Sequence, residues 1–129
     1  MNVHPHWSHQ TELAAEASSV SNARAFVAGH LLDHQLAGLV DDIKLVVSEL
    51  ATNAMVHARS PFTVILRASH ATVLLEVLDE TLVGPTLVVA QTLQTSGRGL
   101  AIVQALCREW GVSTRASGGK TVWATFDAR

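Results

Sequence analysis

Cysteine is nearly absent from this 129-residue sequence: Cys107 stands alone, so no disulfide can form within the chain. No stretch approaches the roughly 20 consecutive apolar residues that a membrane-spanning helix requires. The N-terminal segment MNVHPHWSHQ lacks the basic start and apolar block of a secretory signal peptide. These absences predict a cytoplasmic protein in a reducing compartment, with no membrane association.

Charge is also sparse. Charged residues make up 16% of the sequence, with 9 lysines and arginines against 11 aspartates and glutamates. The net charge is −2 and the basic residues are scattered, so they form no electrostatic footprint for DNA or RNA. No aromatic run offers a platform on which single-stranded bases would stack. Direct binding to nucleic acid is therefore not expected.

Hydrophobic residues, at 48%, are what the sequence has in abundance. A chain of this length is typical of one domain and can bury well over half of its unfolded surface. We expect a disordered polar tail over residues 1–10 and a single domain over residues 11–129.

The spacing of apolar residues alternates between a helical period and runs of β-branched residues. The predicted elements are an edge strand at 11–17, helices at 18–34 and 41–58, a hairpin at 62–79, a long loop at 80–96, a helix at 97–110 with Trp110 facing inward, and a closing hairpin at 111–126. This order predicts an α+β fold, a two-layer α/β sandwich. Its mixed, mostly antiparallel sheet would be covered on one face by about three helices.

Within the second helix, the segment SELATNAMVH places Glu49 and Asn53 four residues apart, and therefore on one helical face. Burying a carboxylate and a carboxamide is costly unless they have partners. The amide oxygen of Asn53 suits a hard cation such as Mg²⁺, and Glu49 suits proton acceptance from a hydroxyl or water. A buried polar bridge to the backbone explains the pair equally well at this point.

Two further features lie outside the predicted core. Asp79 ends the apolar strand LLEVLD, where it either accepts a hydrogen bond from an exocyclic amine or starts a turn. The segment SGRGL opens a helix with glycines at 97 and 99, and backbone N–H groups at a helix start favour an anion such as phosphate. A glycine-capped loop is the alternative for that segment.

Taken together, these motifs resemble the ATP-binding domain of the GHKL superfamily, which has the Bergerat fold. The order is a helix with E-x-x-x-N, a strand ending in aspartate, a loop, and a helix that opens with glycine. SELATNAMVHARSPF, SGRGLAIVQALCREWGV and GGKTVWA are similar to segments of the small single-domain actinobacterial members. Those members are similar to the anti-sigma-factor serine kinases. The resemblance runs from about residue 11 to the end of the chain.

The resemblance implies a role for each matching residue at the metal and at the base. Asn53 would bind Mg²⁺ that bridges the phosphates of ATP, and Glu49 would be the catalytic general base. Asp79 would bind the amino group of adenine.

The remaining matches concern the phosphates and the lid over the nucleotide. Gly97, Arg98, Gly99 and Leu100 would form the second glycine box, and the fixed charge of the arginine could reach phosphate. Thr121 would contribute from the GGKTVWA segment, and residues 80–96 would be the ATP lid.

One departure from the family pattern concerns the first glycine box. Superfamily members with the fuller box carry D-x-G-x-G, whereas this sequence reads DETLVGP, in which Gly84 is the only glycine. The resemblance implies that Gly84 would contribute to nucleotide binding. The small actinobacterial group often lacks those glycines too. The segment TLVVAQTL, between residues 86 and 93, is apolar where related lids are commonly polar, so it either closes over ATP or docks a partner or a second copy of the chain.

Two functions follow from the resemblance, and both stay open here. The first is an ATP- and Mg²⁺-dependent serine/threonine kinase that acts as an anti-sigma factor. It would phosphorylate an anti-sigma-factor antagonist and, with a sigma factor as its other partner, regulate transcription by partner switching. The second is a catalytically silent, nucleotide-binding regulatory module. A detached histidine-kinase ATPase domain is a weaker third reading, and a homodimer is compatible with all of them.

Other local signals do not predict a site. GGKT resembles the end of a P-loop, but the full motif needs glycine at the position of Thr114. His30 and His34 are four apart, and solvated or helix-capping side chains explain them better than a metal site. Cys107 lies among apolar residues and is expected in the core rather than as a nucleophile.

Overall fold

The computed structural model describes residues 6–80, 99–116 and 118–128 of the chain. The elements in chain order are β1 (Trp7–Leu13), α1 (Ser18–Asp33), a 3₁₀ turn (Ala37–Leu39), α2 (Val40–Asn53), a π-helical segment (Ala54–Ala58), β2 (Phe62–Ser69), β3 (Thr72–Asp79), α3 (Gly99–Leu106), β4 (Glu109–Thr114) and β5 (Lys120–Asp127). Five strands and three α-helices in the described residues confirm the predicted α+β, two-layer sandwich.

The strands form one sheet in the order β1-β2-β3-β5-β4, with every neighbouring pair antiparallel. The predicted β2–β3 hairpin is confirmed, and its turn includes His70 in the left-handed region at φ 57°. The closing hairpin is confirmed as well. Its turn uses Gly118 and Gly119 at φ 96° and 89°, a conformation that glycine adopts without strain.

Alternation along the strands divides the sheet into an inner and an outer face. The inner face carries buried apolar residues at every second position, and the helices pack against it. The core residues that α1 contributes recur at helical spacing, as predicted: Ala23, Val27 and Leu31. The core residues from α2 are Ile43, Val46, Val47, Leu50 and Ala51. The strands contribute Val64, Leu66, Val73, Leu75, Val77, Val122, Ala124 and Phe126.

The two helices begin differently. The sequence predicts a helix N-terminus at Asp41 and Asp42, and both lie in the first turn of α2, where their charges interact favourably with the helix dipole. The sequence predicts Ser18 or Ser19 as the N-cap of α1, and this prediction is wrong. Ala17 holds the N-cap position, with no side-chain hydrogen bond, and Ser19 is buried inside the helix.

At the N-terminus, residues 7–10 belong to β1, although they were predicted as part of a disordered tail. Pairing of Trp7 with Ala68 and of Leu13 with Phe62 makes β1 an edge strand along the whole of β2. Its polar residues conceal it in the sequence, because an edge strand exposes alternate side chains to water.

Near the C-terminus, α3 ends at Leu106, and Trp110 lies on β4 rather than on the inner face of a longer helix. The Arg108 N–H donates to the Thr125 carbonyl (2.7 Å), which draws the chain into the sheet. Trp123 lies on the outer face of β5, with its ring over Gly111 of β4, so a Cβ at Gly111 would collide with it. None of the helices among the described residues is long and apolar enough to cross a membrane.

Candidate functional site

Three elements bring polar groups to one end of the sheet. Asp79 ends β3, and it pairs directly with Lys120 at the start of β5. At the same end, Thr63 at the start of β2 pairs with Leu78. The chain reaches β2 from the end of α2 through the π-helical segment, which contacts β3, and Asn53 lies immediately before that segment.

Asn53 is the last residue of α2 and is only 3% exposed. Its Oδ1 atom is buried and has no hydrogen-bond partner among the described residues. A buried amide oxygen without a partner carries a desolvation penalty of about 1–3 kcal/mol. Such an oxygen fits the ligand chemistry of Mg²⁺, which is usually held by one or two protein oxygens together with phosphates and waters.

Glu49 lies one turn before Asn53 on α2 and is partly exposed. The i,i+4 spacing puts both side chains on one helical face, as predicted. The helix widens immediately after Asn53 into the π-helical segment Ala54–Ala58, and Arg59 follows in the left-handed region at φ 55°. Single π turns of this kind interrupt α-helices frequently at functional sites.

Asp79 is 2% exposed, and its carboxylate makes a buried ion pair. The Lys120 ammonium Nζ lies 2.8 Å from the Asp79 Oδ2 atom, and the lysine side chain is completely buried. Both residues face the inner side of the sheet because they are directly paired across β3 and β5. The carboxylate at the end of the strand is therefore held by a specific cation.

Thr121 is buried but lies on the other face of β5, because its cross-strand partner is Leu78. Its hydroxyl Oγ1 accepts a hydrogen bond from Arg115 Nη1 (3.3 Å). The β5 side chain that contacts Asp79 is therefore Lys120. Thr121 instead contacts Arg115. The role predicted for Thr121 at the nucleotide stays a prediction.

Arg115 joins the ends of β3 and β5. Its Nη2 donates to the Asp79 carbonyl (2.7 Å) and its Nη1 donates to the Lys120 carbonyl (2.9 Å). The guanidinium lies against Gly119, where an added Cβ would collide with both the arginine and the Asp79 carbonyl. The glycine at position 119 is therefore required by close approach as well as by its positive φ.

The helix α3 begins at Gly99, followed by Leu100, as the glycine-opened helix predicts. Residues 81–98 lie outside the described residues. They include Gly84, Gly97, Arg98 and all of the predicted lid except residue 80. Their roles stay predictions.

The other candidates from the sequence lie elsewhere. His30 and His34 face β1, where His9 Nε2 lies 2.9 Å from His34 Nε2. Within the described residues, no group of three or more histidines, cysteines, aspartates or glutamates could hold a metal ion. Cys107 is partly buried, and burial raises the pKa of its thiol, which disfavours the reactive thiolate.

Sequence reasoning missed Lys120 and Arg115. In the sequence, the lysine of GGKT suggests only the end of a P-loop, and the arginine lies in a hairpin of ordinary composition. The signal that would have found Lys120 is register. A β3–β5 pairing that starts at the first residue of the closing strand places that residue opposite Asp79.

A comparison with family models finds a match over residues 13–126 to the family described as histidine kinase-like ATPase domain. A comparison with curated proteins finds no match. The matched range contains β2, β3, β4 and β5 except its last residue, but only Leu13 of β1, and it contains Glu49, Asn53 and Asp79. ATP binding is the property that this family implies. The chain belongs to the family of histidine kinase-like ATPase domains.

Proposed function

We propose that this protein is an ATP- and Mg²⁺-dependent serine/threonine protein kinase that acts as an anti-sigma factor. Its substrate would be an anti-sigma-factor antagonist, and its other partner a sigma factor. The observation that carries the proposal is the buried Oδ1 of Asn53, which has no hydrogen-bond partner among the described residues and adjoins the segment that contacts β3, the strand of Asp79. The family match supports ATP as the ligand.

Each end of the nucleotide has candidate groups in this arrangement. Asn53 would hold a Mg²⁺ ion, which supplies neutralisation of phosphate charge when bound. Asp79 would accept a hydrogen bond from the 6-amino group of adenine. The backbone N–H groups at the start of α3 would donate to phosphate. The resemblance supports these assignments at Gly97, Arg98, Gly99 and Leu100.

Glu49 is the residue that distinguishes transfer from binding alone. It would accept the proton of a serine or threonine hydroxyl as that oxygen bonds to the γ-phosphorus and the bond from phosphorus to the β,γ-bridging oxygen breaks, releasing ADP. Its partial exposure on the Asn53 face leaves it accessible to a protein substrate.

A second function, a silent nucleotide-binding regulatory module, is favoured by one observation. The segment DETLVGP has Gly84 as its only glycine, so the first glycine box is incomplete. Such a module would bind a sigma factor or an antagonist and respond to nucleotide without phosphoryl transfer.

The two functions are separated by a transfer assay with γ-labelled ATP and candidate antagonist proteins. We expect Glu49→Gln to reduce labelling by about 10²-fold or more, because a positioned general base contributes that much, while ATP binding is retained. Glu109→Gln is the matched control, since Glu109 is exposed at the far end of β4, opposite Thr125. Wild-type protein that binds ATP but labels no antagonist would contradict the kinase and leave the silent module.

A further inference from the structure

The stability of the fold does not by itself explain why the ion pair between Lys120 and Asp79 is buried. The two side chains are 0% and 2% exposed, and the atoms Nζ and Oδ2 are 2.8 Å apart. Taking both charges out of water costs several kcal/mol per ion, and the mutual attraction often only breaks even with apolar residues of similar volume. A pair of this kind at the end of a strand therefore calls for a role other than holding the fold together.

The surroundings of the pair restrict its geometry. Lys120 is the direct cross-strand neighbour of Asp79, so the two Cβ atoms are fixed close together by the β-ladder. Arg115 adds hydrogen bonds to the carbonyls of both residues, 2.7 Å to Asp79 and 2.9 Å to Lys120. Because the backbone on each side is held, the ammonium defines the direction in which the carboxylate can point.

We propose that Lys120 is a positioning residue for base recognition: its ion pair to Oδ2 fixes the plane of the Asp79 carboxylate in which the 6-amino group of a purine is accepted. This inference rests on the proposed function, in which Asp79 binds the base of ATP. Lys120 acts through Asp79 and does not itself contact the base. The ligand class selected in this way is a purine nucleotide with an amino group at position 6.

The experiment compares the dissociation constants of ATP and of purine riboside triphosphate, which lacks the 6-amino group, by calorimetry with saturating Mg²⁺. We expect the wild-type protein to prefer ATP by about tenfold or more, as a hydrogen bond to a charged acceptor provides. Lys120→Met should reduce the preference to near parity, because the carboxylate loses its fixed plane. If the role of Lys120 were merely structural, Lys120→Met would weaken the binding of both nucleotides equally, and the ratio of their dissociation constants would not change.

A matched control is available on the same sheet. Arg67 Nη2 lies 2.9 Å from Glu76 Oε1 in a cross-strand ion pair between β2 and β3, away from Asp79. Arg67→Met also removes one cation from one carboxylate, and it should leave the preference for ATP unchanged. Should Lys120→Met fail to fold, Lys120→Gln provides the same test with a neutral polar side chain, and the same loss of preference is expected.

The outcomes separate the inference from the proposed function. If Lys120→Met keeps the wild-type preference, or binds ATP more tightly than wild type, the positioning role is overturned while ATP binding stands. If the wild-type protein binds both nucleotides equally, Asp79 does not read the amino group, and this inference fails with that assignment. If wild-type protein binds neither nucleotide, the proposed function itself fails.

Discussion

Asn53 is the residue on which the candidate site depends most directly. Its amide lies at the last position of α2, and its Oδ1 has no partner within the described part of the chain. An orphaned acceptor in a well-packed helix is a cost to the fold that a bound cation would offset. This makes a prediction that separates a ligand-binding residue from a structural one.

Asn53→Leu should raise the free energy of unfolding without nucleotide by about 1 kcal/mol, because it removes a buried acceptor that no described residue hydrogen-bonds. The same variant should lose most of the stabilisation that Mg·ATP gives the wild-type protein. Chemical denaturation with and without Mg·ATP measures both effects. Destabilisation in the absence of nucleotide would show that the amide already contributes to the fold.

Residue types and spacing predicted much of the candidate site. Glu49 and Asn53 share a helical face as the sequence indicated, and Asp79 ends its strand. The partners of Asp79 were not predictable in the same way. Lys120 and Arg115 reach it from 41 and 36 residues further along the chain, and only the register of β3 and β5 brings them there.

At the scale of single elements, the β4–β5 turn is fixed by close contacts at Gly119. Its φ of 89° and the guanidinium of Arg115 leave no space for a Cβ. Gly119→Ala should therefore lower the free energy of unfolding by more than 1 kcal/mol, since alanine is strained at positive φ and would displace the arginine.

The control for that substitution is Gly29→Ala in α1, where an added Cβ meets nothing within 4 Å. Alanine there should stabilise the protein by about 0.5–1 kcal/mol through helix propensity. Urea denaturation of both variants checks the pair. Equal effects at the two glycines would contradict the close approach of Arg115 to the turn.

The contact between β1 and α1 contains a group of stacked rings. His9 of β1 stacks on His30 at 3.8 Å between ring centroids, and Trp7 stacks on His34 at 4.0 Å. Burial lowers the pKa of His30 below its ordinary value of 6.5. Charge on His9 and His34 lowers it further, and Asp33 opposes the shift. The neutral form of His30 is thus favoured in the folded protein.

A lowered pKa in the folded state means that the unfolded chain binds the proton more readily. The contribution of His30 to stability is therefore complete above about pH 6.5 and is lost as the pH falls below that value. We expect the thermal midpoint to fall between pH 7 and pH 5, and His30→Gln to reduce that dependence. His70→Gln, in the exposed β2–β3 turn, is the control. A pH dependence unchanged by His30→Gln would rule out this residue as the cause.

Helices and hairpins were more predictable than the places where they join. Periodicity located α1, α2 and both hairpins because each has a regular apolar face. It failed where short-range pattern and long-range pairing conflict. The Arg108 N–H donates to the Thr125 carbonyl, and β4 starts at Glu109, three positions after α3 ends, so Trp110 lies on a strand and not on a helix. β1 was misplaced because pairing with β2, and not hydrophobicity, makes it a strand.

At the scale of the whole molecule, nucleotide binding should appear as increased stability. A ligand that binds only the folded state stabilises it by about 2.7 kcal/mol at 100 times its dissociation constant. We expect Mg·ATP to raise the thermal midpoint by several degrees and Mg·GTP to leave it nearly unchanged, because guanine has no amino group at position 6 for Asp79. A thermal shift titration measures this. An equal response to both nucleotides would contradict base selection by Asp79.

The sheet register also determines where the two ends of the described chain emerge. Trp7 pairs with Ala68, Ala68 with Val73, and Val73 with Phe126, so β1 starts and β5 finishes along one row. That row lies at the opposite end of β3 from Asp79, about 20 Å away for a strand of this length. A fluorescent reporter attached at Trp7 or at Asp127 would therefore lie at the opposite end of the sheet from the candidate site. A short flexible linker spanning three strand spacings, about 14 Å, would suffice to join the termini for circular permutation.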